Sequence, residues 1–194
     1  MTPRLGLFGG TFDPPHLGHL ALAESARDQL GLARVFFVPA GAPPHKRAGG
    51  VTPARHRLAM TRLAVRANPA FTVLDVETRR AGPSYTVDTL RALVAARPRA
   101  AWYLLLGEDS FDALASWREP DVLRSLATLA VAPRPGARRR RGRRAACVWL
   151  DAPLLALSSS GLRRRLAAGD SARYLVPDAV ARYIARHHLY RRSR

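Results

Sequence analysis

The sequence predicts an α/β fold: a doubly wound parallel sheet with helices on both faces, built as a single domain over residues 1–194. Three observations carry this expectation. Short, nearly continuous apolar runs recur along the chain, as in strands covered on both sides. Helical patterns with readable ends lie between them. Strand alternating with helix means parallel pairing through crossover connections. A chain of 194 residues has room for one such domain and too few residues for two ordinary ones, and its 47% hydrophobic content is that of a globular protein.

The elements can be justified in order. Leu5–Phe8 is the first strand candidate, and His19–Leu30 follows as a helix stopped by Gly31, a good residue just past a helix end. Val35–Val38 is the second strand. Thr52 then reads as an N-cap with Pro53 at the first helical position, opening a helix to about Val65. Phe71–Val76 is the third strand, and Thr86–Ala95 places Val87, Leu90 and Val94 on one helical stripe. Trp102–Leu106, Thr128–Ala132 and Cys147–Leu150 complete the strand set. Pro177 and Asp178 open a last helix with Val180, Tyr183 and Ile184 inside. Together these make the expected fold Rossmann-like. The arginine-rich stretch at about residues 134–145 reads as a surface loop within the domain.

Composition narrows the function classes. No apolar run approaches the roughly 20 residues of a membrane span. The N-terminus enters a strand within a few residues, which leaves no room for a signal peptide. A lone Cys147 excludes an intrachain disulfide framework and a thiolate cluster, and a reducing cytoplasm is its simplest home. The net charge of +18 predicts attraction to polyanions, nucleic acid or phosphorylated small molecules. The densest run, Arg138–Arg144, has no aromatic residues interleaved as stacking platforms. It reads as a solvated loop; a basic nucleic-acid-binding module is the competing interpretation.

In open parallel sheets, ligands bind beyond the carboxyl ends of the strands. The segments just after the six strand candidates are "GGTFDPPHLGH", "PAGAPPHK", "ETRRAGPSYT", "GEDSF", "PRPG" and, after a short link, "LSSSGLR". They should meet in one crevice. In the first, Gly9 and Gly10 let the chain turn without a Cβ, so that backbone N–H groups can approach a phosphate. The helix opening near His16 points its positive end at the same place. Pro14 and Pro15 stiffen the turn, and His16 and His19 share one face of the first helical turn. Two alternatives stand beside this phosphate-facing pair: ordinary surface histidines, or half a zinc site with Asp13 as third ligand, which no other His/Cys cluster completes. Neither GxxxxGK[ST] nor GxGxxG is present.

"GGTFDPPHLGH" resembles the nucleotidyltransferase signature GG-[ST]-F-D-P-x-[HT]-x-G-H, and "LSSSGLR" resembles its second signature, ISSTxxR. "PPHK", "SYTVDTL", "GEDSFDALASW" and "APRPG" fall between them in the order and spacing of bacterial nicotinate-nucleotide adenylyltransferases, and "YLVPDAVARYIARHHLY" is also similar to that family. The departures are Leu157 and Ser160, where Ile and Thr are usual, and Arg118, where an aromatic often follows the tryptophan.

The resemblance implies transfer of AMP from ATP to nicotinate mononucleotide, with Mg²⁺ accompanying ATP and held mainly by phosphates rather than by a protein metal site. It implies no specific nucleic acid and no membrane among the partners. The implied ATP residues are Gly9, Gly10, Thr11, Phe12, His16, His19, Gly107, Ser158, Ser159, Ser160 and Arg163, with His19 nearest the α-phosphorus and Ser159, Ser160 and Arg163 on the leaving phosphates. His16, His19, Lys46 and Arg163 are the implied catalytic residues, and His45, Lys46 and Arg134 are implied on the mononucleotide side, bringing positive charge to the phosphates. For the mononucleotide, N–H groups at the helix start by Ser84, Tyr85 and Thr86 suit a carboxylate, Trp117 can stack on the pyridine, and Asp109 can accept from a ribose. Structural roles compete for these: Ser84 or Thr86 as a helix cap, Trp117 as core, Asp109 as a cap. Sister enzymes acting on phosphopantetheine or nicotinamide mononucleotide are the nearest rivals. His16 argues against the former, whose signature usually has threonine there, and an exposed Arg118 is expected to add little to carboxylate binding.

Overall fold

Six parallel strands form one sheet in the order β3-β2-β1-β4-β5-β6. The structure is a computed structural model, and it describes residues 2–43, 50–133, 147–153 and 155–191. Along the chain come β1 (Arg4–Gly10), α1 (Leu17–Leu30), β2 (Arg34–Pro39), α2 (Ala54–Val65), β3 (Phe71–Val73), α3 (Thr86–Ala96) and β4 (Ala101–Gly107). Then follow α4 (Glu108–Asp112), a 3₁₀ turn (Leu114–Ser116), α5 (Pro120–Leu126), β5 (Thr128–Ala132), β6 (Val148–Trp149), α6 (Ser159–Ala167) and α7 (Asp178–Arg186). No helix among the described residues is long and apolar enough to cross a membrane.

Side chains alternate across the sheet, as a period of two requires. Phe8, Val35, Phe37, Leu105 and Ala130 face one core, closed by α1, α2, α6 and α7 through Ala23, Met60, Leu162 and Val180. Leu7, Phe36, Val38, Leu104 and Val131 face the other, closed by α3 and α5 through Leu90 and Leu123. The expected doubly wound sheet is therefore present. Its direction of growth reverses between β1 and β4, which opens a crevice at the carboxyl ends of those strands.

Most of the expected elements stand, and the differences have physical causes. Strand β3 ends at Val73 instead of Val76: the Leu74 N–H still reaches the Phe37 carbonyl, after which the chain turns and Val76 lies exposed. Gly31 ends α1 in the left-handed conformation, as expected. Thr52 is not the cap of α2, whose N-cap position is Pro53 with no side-chain bond. Its N–H donates to Asp13 Oδ2 and its carbonyl accepts from Arg57, so tertiary contacts set the start of this helix. Nor does Ser84 or Thr86 cap α3. Tyr85 occupies the N-cap, while the Ser84 hydroxyl accepts from the Gly41 and Ala42 N–H groups. The short α4 and α5 carry too little periodic pattern to have been expected.

Candidate active site

Among the described residues, two cavities open at the carboxyl end of the sheet and share a wall at the end of β1. The larger, about 560 Å³, is lined by Gly9, Gly10, Thr11, Phe12, His16, His19, Gly107, Asp109, Ser158 and Ser159, with further residues following β5 and β6. The smaller, about 210 Å³, is lined by Gly9, Gly10, Thr11, Ala40, Glu77, Ser84, Tyr85, Thr86, Trp117 and Arg118. Gly9, Gly10 and Thr11 form a wall common to both. Segments after all six strands contribute, so the expected meeting place exists. Among the expected mononucleotide residues, Asp109 lines the larger cavity instead of the smaller one. Ser160 and Arg163 line neither. His45, Lys46, Arg134 and the arginine run at 138–144 lie outside the described residues.

The first loop is built differently from the expectation that its glycines make the turn. Gly9 and Gly10 end strand β1, paired with Val38 and Pro39. The chain turns at Phe12, whose φ is 49°. Its ring folds back under Gly10, where an added Cβ would lie 2.9 Å from the ring edge. That ring also packs edge-on against Phe8 at 5.5 Å and His19 at 5.1 Å. Gly10 therefore makes room for Phe12, and Phe12 in turn fixes the histidine.

His16 and His19 stack at 3.7 Å between ring centroids, as their spacing on one helical face predicts. The His16 N–H donates to His19 Nδ1 at 3.1 Å. A neutral ring that accepts at Nδ1 carries its proton on Nε2. Burial lowers the pKa of His16 to about 4. Burial, then the neighbouring His16, holds His19 well below the usual range. Both rings are thus neutral hydrogen-bond donors at pH 7, able to gain a proton once an anion sits against them.

The underside of the loop is held by a buried hub. Asp13, wholly buried, accepts from the Tyr190 hydroxyl at 2.7 Å and from the Thr52 N–H at 3.2 Å. Arg163 Nη1 donates to the Asp13 carbonyl at 2.7 Å, and the Ser159 hydroxyl donates to the Pro14 carbonyl at 2.9 Å. The start of α6 thus braces the first loop from behind while Ser158 and Ser159 reach the larger cavity. Both Asp13 oxygens are engaged by the Tyr190 and Thr52 donors, and among the described residues no group of three or more His, Cys, Asp or Glu that could hold a metal occurs.

A family model described as cytidylyltransferase-like matches residues 7–165. A "Probable nicotinate-nucleotide adenylyltransferase" of Thermomicrobium roseum is 47% identical over 97% of this chain and 92% of its own length. A protein of the same name in Symbiobacterium thermophilum is 46% identical over 98% of this chain and 96% of its own. The chain belongs to the nicotinate-nucleotide adenylyltransferase family. Its fold also matches a solved structure, the Plasmodium falciparum nicotinic acid mononucleotide adenylyltransferase complexed with NaAD, at a TM-score of 0.84, with 19% identity and 97% of each chain covered.

In this member of the nicotinate-nucleotide adenylyltransferase family, sequence reasoning missed the residues that tie the two cavities together. Arg57, almost wholly buried, donates to the carbonyls of Thr11, Ala40, Gly41 and Thr52. One guanidinium so joins the common wall to the loop after β2. A Cβ on Gly41 would stand 2.2 Å from the Glu77 carbonyl, so only glycine permits the close approach that seats this loop against the segment after β3. Glu77, also buried, accepts from the Thr89 hydroxyl at 2.8 Å, and burial raises its pKa. A signal for Arg57 does exist: it shares the buried stripe of α2 with Met60, Thr61 and Ala64, where an arginine needs partners.

Proposed function

We propose that this chain transfers AMP from ATP to nicotinate mononucleotide, giving deamido-NAD and pyrophosphate, a step in NAD biosynthesis. The observation that carries the reading is the pair of cavities on the common wall of Gly9, Gly10 and Thr11, which suits two nucleotides meeting at one phosphate. ATP takes the larger cavity and the mononucleotide the smaller.

The mononucleotide phosphate is anionic at pH 7 and needs no general base. One of its oxygens attacks the α-phosphorus of ATP, and the bond from that phosphorus to the bridging oxygen breaks. Pyrophosphate leaves with the electron pair. Catalysis is then positioning and charge stabilisation. In this reading His19 Nε2–H and His16 donate to the α-phosphate side, with Gly10 and Thr11 supplying donors from the loop. Phe12 shapes that loop, and Gly9 and Gly107 leave space for the nucleotide. Ser158, Ser159, Ser160 and Arg163 hold the leaving phosphates, although Arg163 must reach them with the guanidinium nitrogens it does not spend on Asp13. His45, Lys46 and Arg134 add positive charge. Ser84, Tyr85 and Thr86 receive the substrate carboxylate, Trp117 stacks on the pyridine and Asp109 accepts from a ribose.

The donor set around the larger cavity, imidazoles, hydroxyls and backbone N–H groups, fits phosphate oxygens. Mg²⁺ accompanying ATP would therefore be held mainly by the phosphates, whose charge it would neutralise. The lone cysteine fits a reducing cytoplasm, and we read all 194 residues as one nucleotidyltransferase domain.

Pyrophosphate release with ATP and each candidate acceptor tests the reading. Release with nicotinate mononucleotide well above that with nicotinamide mononucleotide or phosphopantetheine supports it. Release only with phosphopantetheine would transfer the chain to the sister activity, and no release with any acceptor would overturn adenylyl transfer.

A further inference from the structure

We propose that the guanidinium of Arg118 is a specificity-determining group that reads the acid substrate's carboxylate in the smaller cavity. This rests on the adenylyl-transfer reading above. Arg118 lines that cavity beside Ser84, Tyr85, Thr86 and Trp117. Its Cζ stands 4.8 Å from the centre of the Tyr85 ring, within cation–π range. The contact holds a long, otherwise mobile side chain at the cavity wall.

Arg118 forms a long ion pair with Glu119 but no hydrogen bond, so its donors stay available to a ligand. Glu119 is the nearest carboxylate, but Arg91 takes both of its oxygens, Nη1 to Oε1 at 3.1 Å and Nη2 to Oε2 at 2.5 Å. Arg118 Nε stops 3.6 Å from Glu119 Oε1, too far for a hydrogen bond. Among the described residues the Arg118 guanidinium makes none. The other charged residue on this wall, Glu77, accepts from Thr89 and would repel a second carboxylate. A ligand carboxylate in the smaller cavity is therefore drawn toward the Arg118 side.

Exposure sets the size of the effect. The Arg118 side chain is 53% exposed, so in the empty site water screens it. A pyridine ring stacked over the cavity displaces part of that water and strengthens the pairing. A carboxylate gains a charge-assisted, two-point bond there, and an uncharged carboxamide gains at most a neutral one. The expected consequence is about a tenfold share of the acid-over-amide preference.

Calorimetric titration of nicotinate and nicotinamide mononucleotides into the wild type, Arg118→Gln and Arg118→Lys tests the proposal, alongside pyrophosphate release on the same proteins. Arg118→Gln keeps hydrogen-bond donors and loses the charge. Its acid-to-amide affinity ratio should fall about tenfold, and Arg118→Lys should recover part of that. The wild-type ratio should also shrink with added NaCl more than the Gln variant's. An unchanged ratio in Arg118→Gln would overturn the proposal. So would an equal loss for both ligands, which would place the guanidinium on the shared phosphate or in the fold. Normal discrimination in binding without pyrophosphate release would sink adenylyl transfer alone. A wild type that binds neither mononucleotide would sink both.

Discussion

The hydroxyl of Tyr190 donates a 2.7 Å hydrogen bond to Oδ1 of Asp13, joining positions 177 residues apart. Asp13 lies in the loop that carries the two histidines, and Tyr190 follows the last helix. The segment after α7 is thereby fastened beneath the loop that follows β1. Burial and the adjacent carboxylate push the Tyr190 pKa far upward, so the phenol stays a donor at any working pH.

Replacing Tyr190 with phenylalanine removes that donor and leaves one oxygen of a fully buried carboxylate unsatisfied. An orphaned buried acceptor costs about 1–3 kcal/mol. For a chain of this length that is a fall in Tm of roughly 2–10 °C. Thermal unfolding of Tyr190→Phe checks it. A midpoint unchanged within a degree would show that the bond contributes nothing.

Arg57 offers a steeper test of the same architecture. Its fork meets four carbonyls, and lysine has three donors on a point charge and cannot copy the planar arrangement. Arg57→Met abandons all four carbonyls and the buried Asp13 charge nearby. The methionine variant should lose about 3–5 kcal/mol, the scale of a broken buried ion pair, and the lysine variant less. Urea unfolding of both should give that order. Equal stability of the wild type and Arg57→Met would show the clamp to be dispensable.

These two residues also show where the sequence stopped being informative. Runs such as Thr128–Ala132 are legible because a buried strand leaves a local apolar mark, and the observed β5 has those same bounds. The cavity residues were legible because residues after parallel strands converge whatever their distance in sequence. Arg57 and Tyr190 act through single bonds to distant carbonyls and a distant carboxylate, which leave no periodic trace. Thr52 followed by proline looks like a cap, yet the Asp13 carboxylate outcompeted the local geometry. Two adjacent glycines suggested a turn, while the turn itself fell to Phe12, whose left-handed backbone no residue type announces.

The two histidines make stability depend on pH. An unfolded histidine titrates near 6.5, and His16 in the folded chain near 4. Between those values the unfolded state binds more protons, so stability falls as pH falls. Above 6.5 both states are neutral and the loss vanishes. At pH 5 the cost from His16 is about 2 kcal/mol, with His19 adding in the same direction. Urea unfolding at pH 7.5 and pH 5 measures the difference, and His16→Asn should shrink it by about 1–2 kcal/mol. If the variant shows the full wild-type loss, the acid sensitivity belongs to other groups.

His19→Ala should remove most turnover while ATP still binds. The Nδ1 contact with the His16 N–H commits the His19 proton to Nε2, and the Phe12 ring holds the imidazole in place. In the proposed reaction a fixed neutral donor beside the α-phosphate strengthens its bond as negative charge builds in the transition state. Losing one such donor costs about 10²–10³ in kcat. In the same reading ATP keeps the loop amides and the hydroxyls of Ser158 and Ser159, so its Kd should change much less. Alanine also strips the His16 N–H of its acceptor, which could disturb the start of α1. His19→Asn supplies a side-chain carbonyl that can take that N–H, and it separates the two effects. If His19 acts on the reacting phosphate, both variants are slow and both still bind ATP. An Asn variant within threefold of the wild-type kcat would instead make His19 a structural part of the helix start.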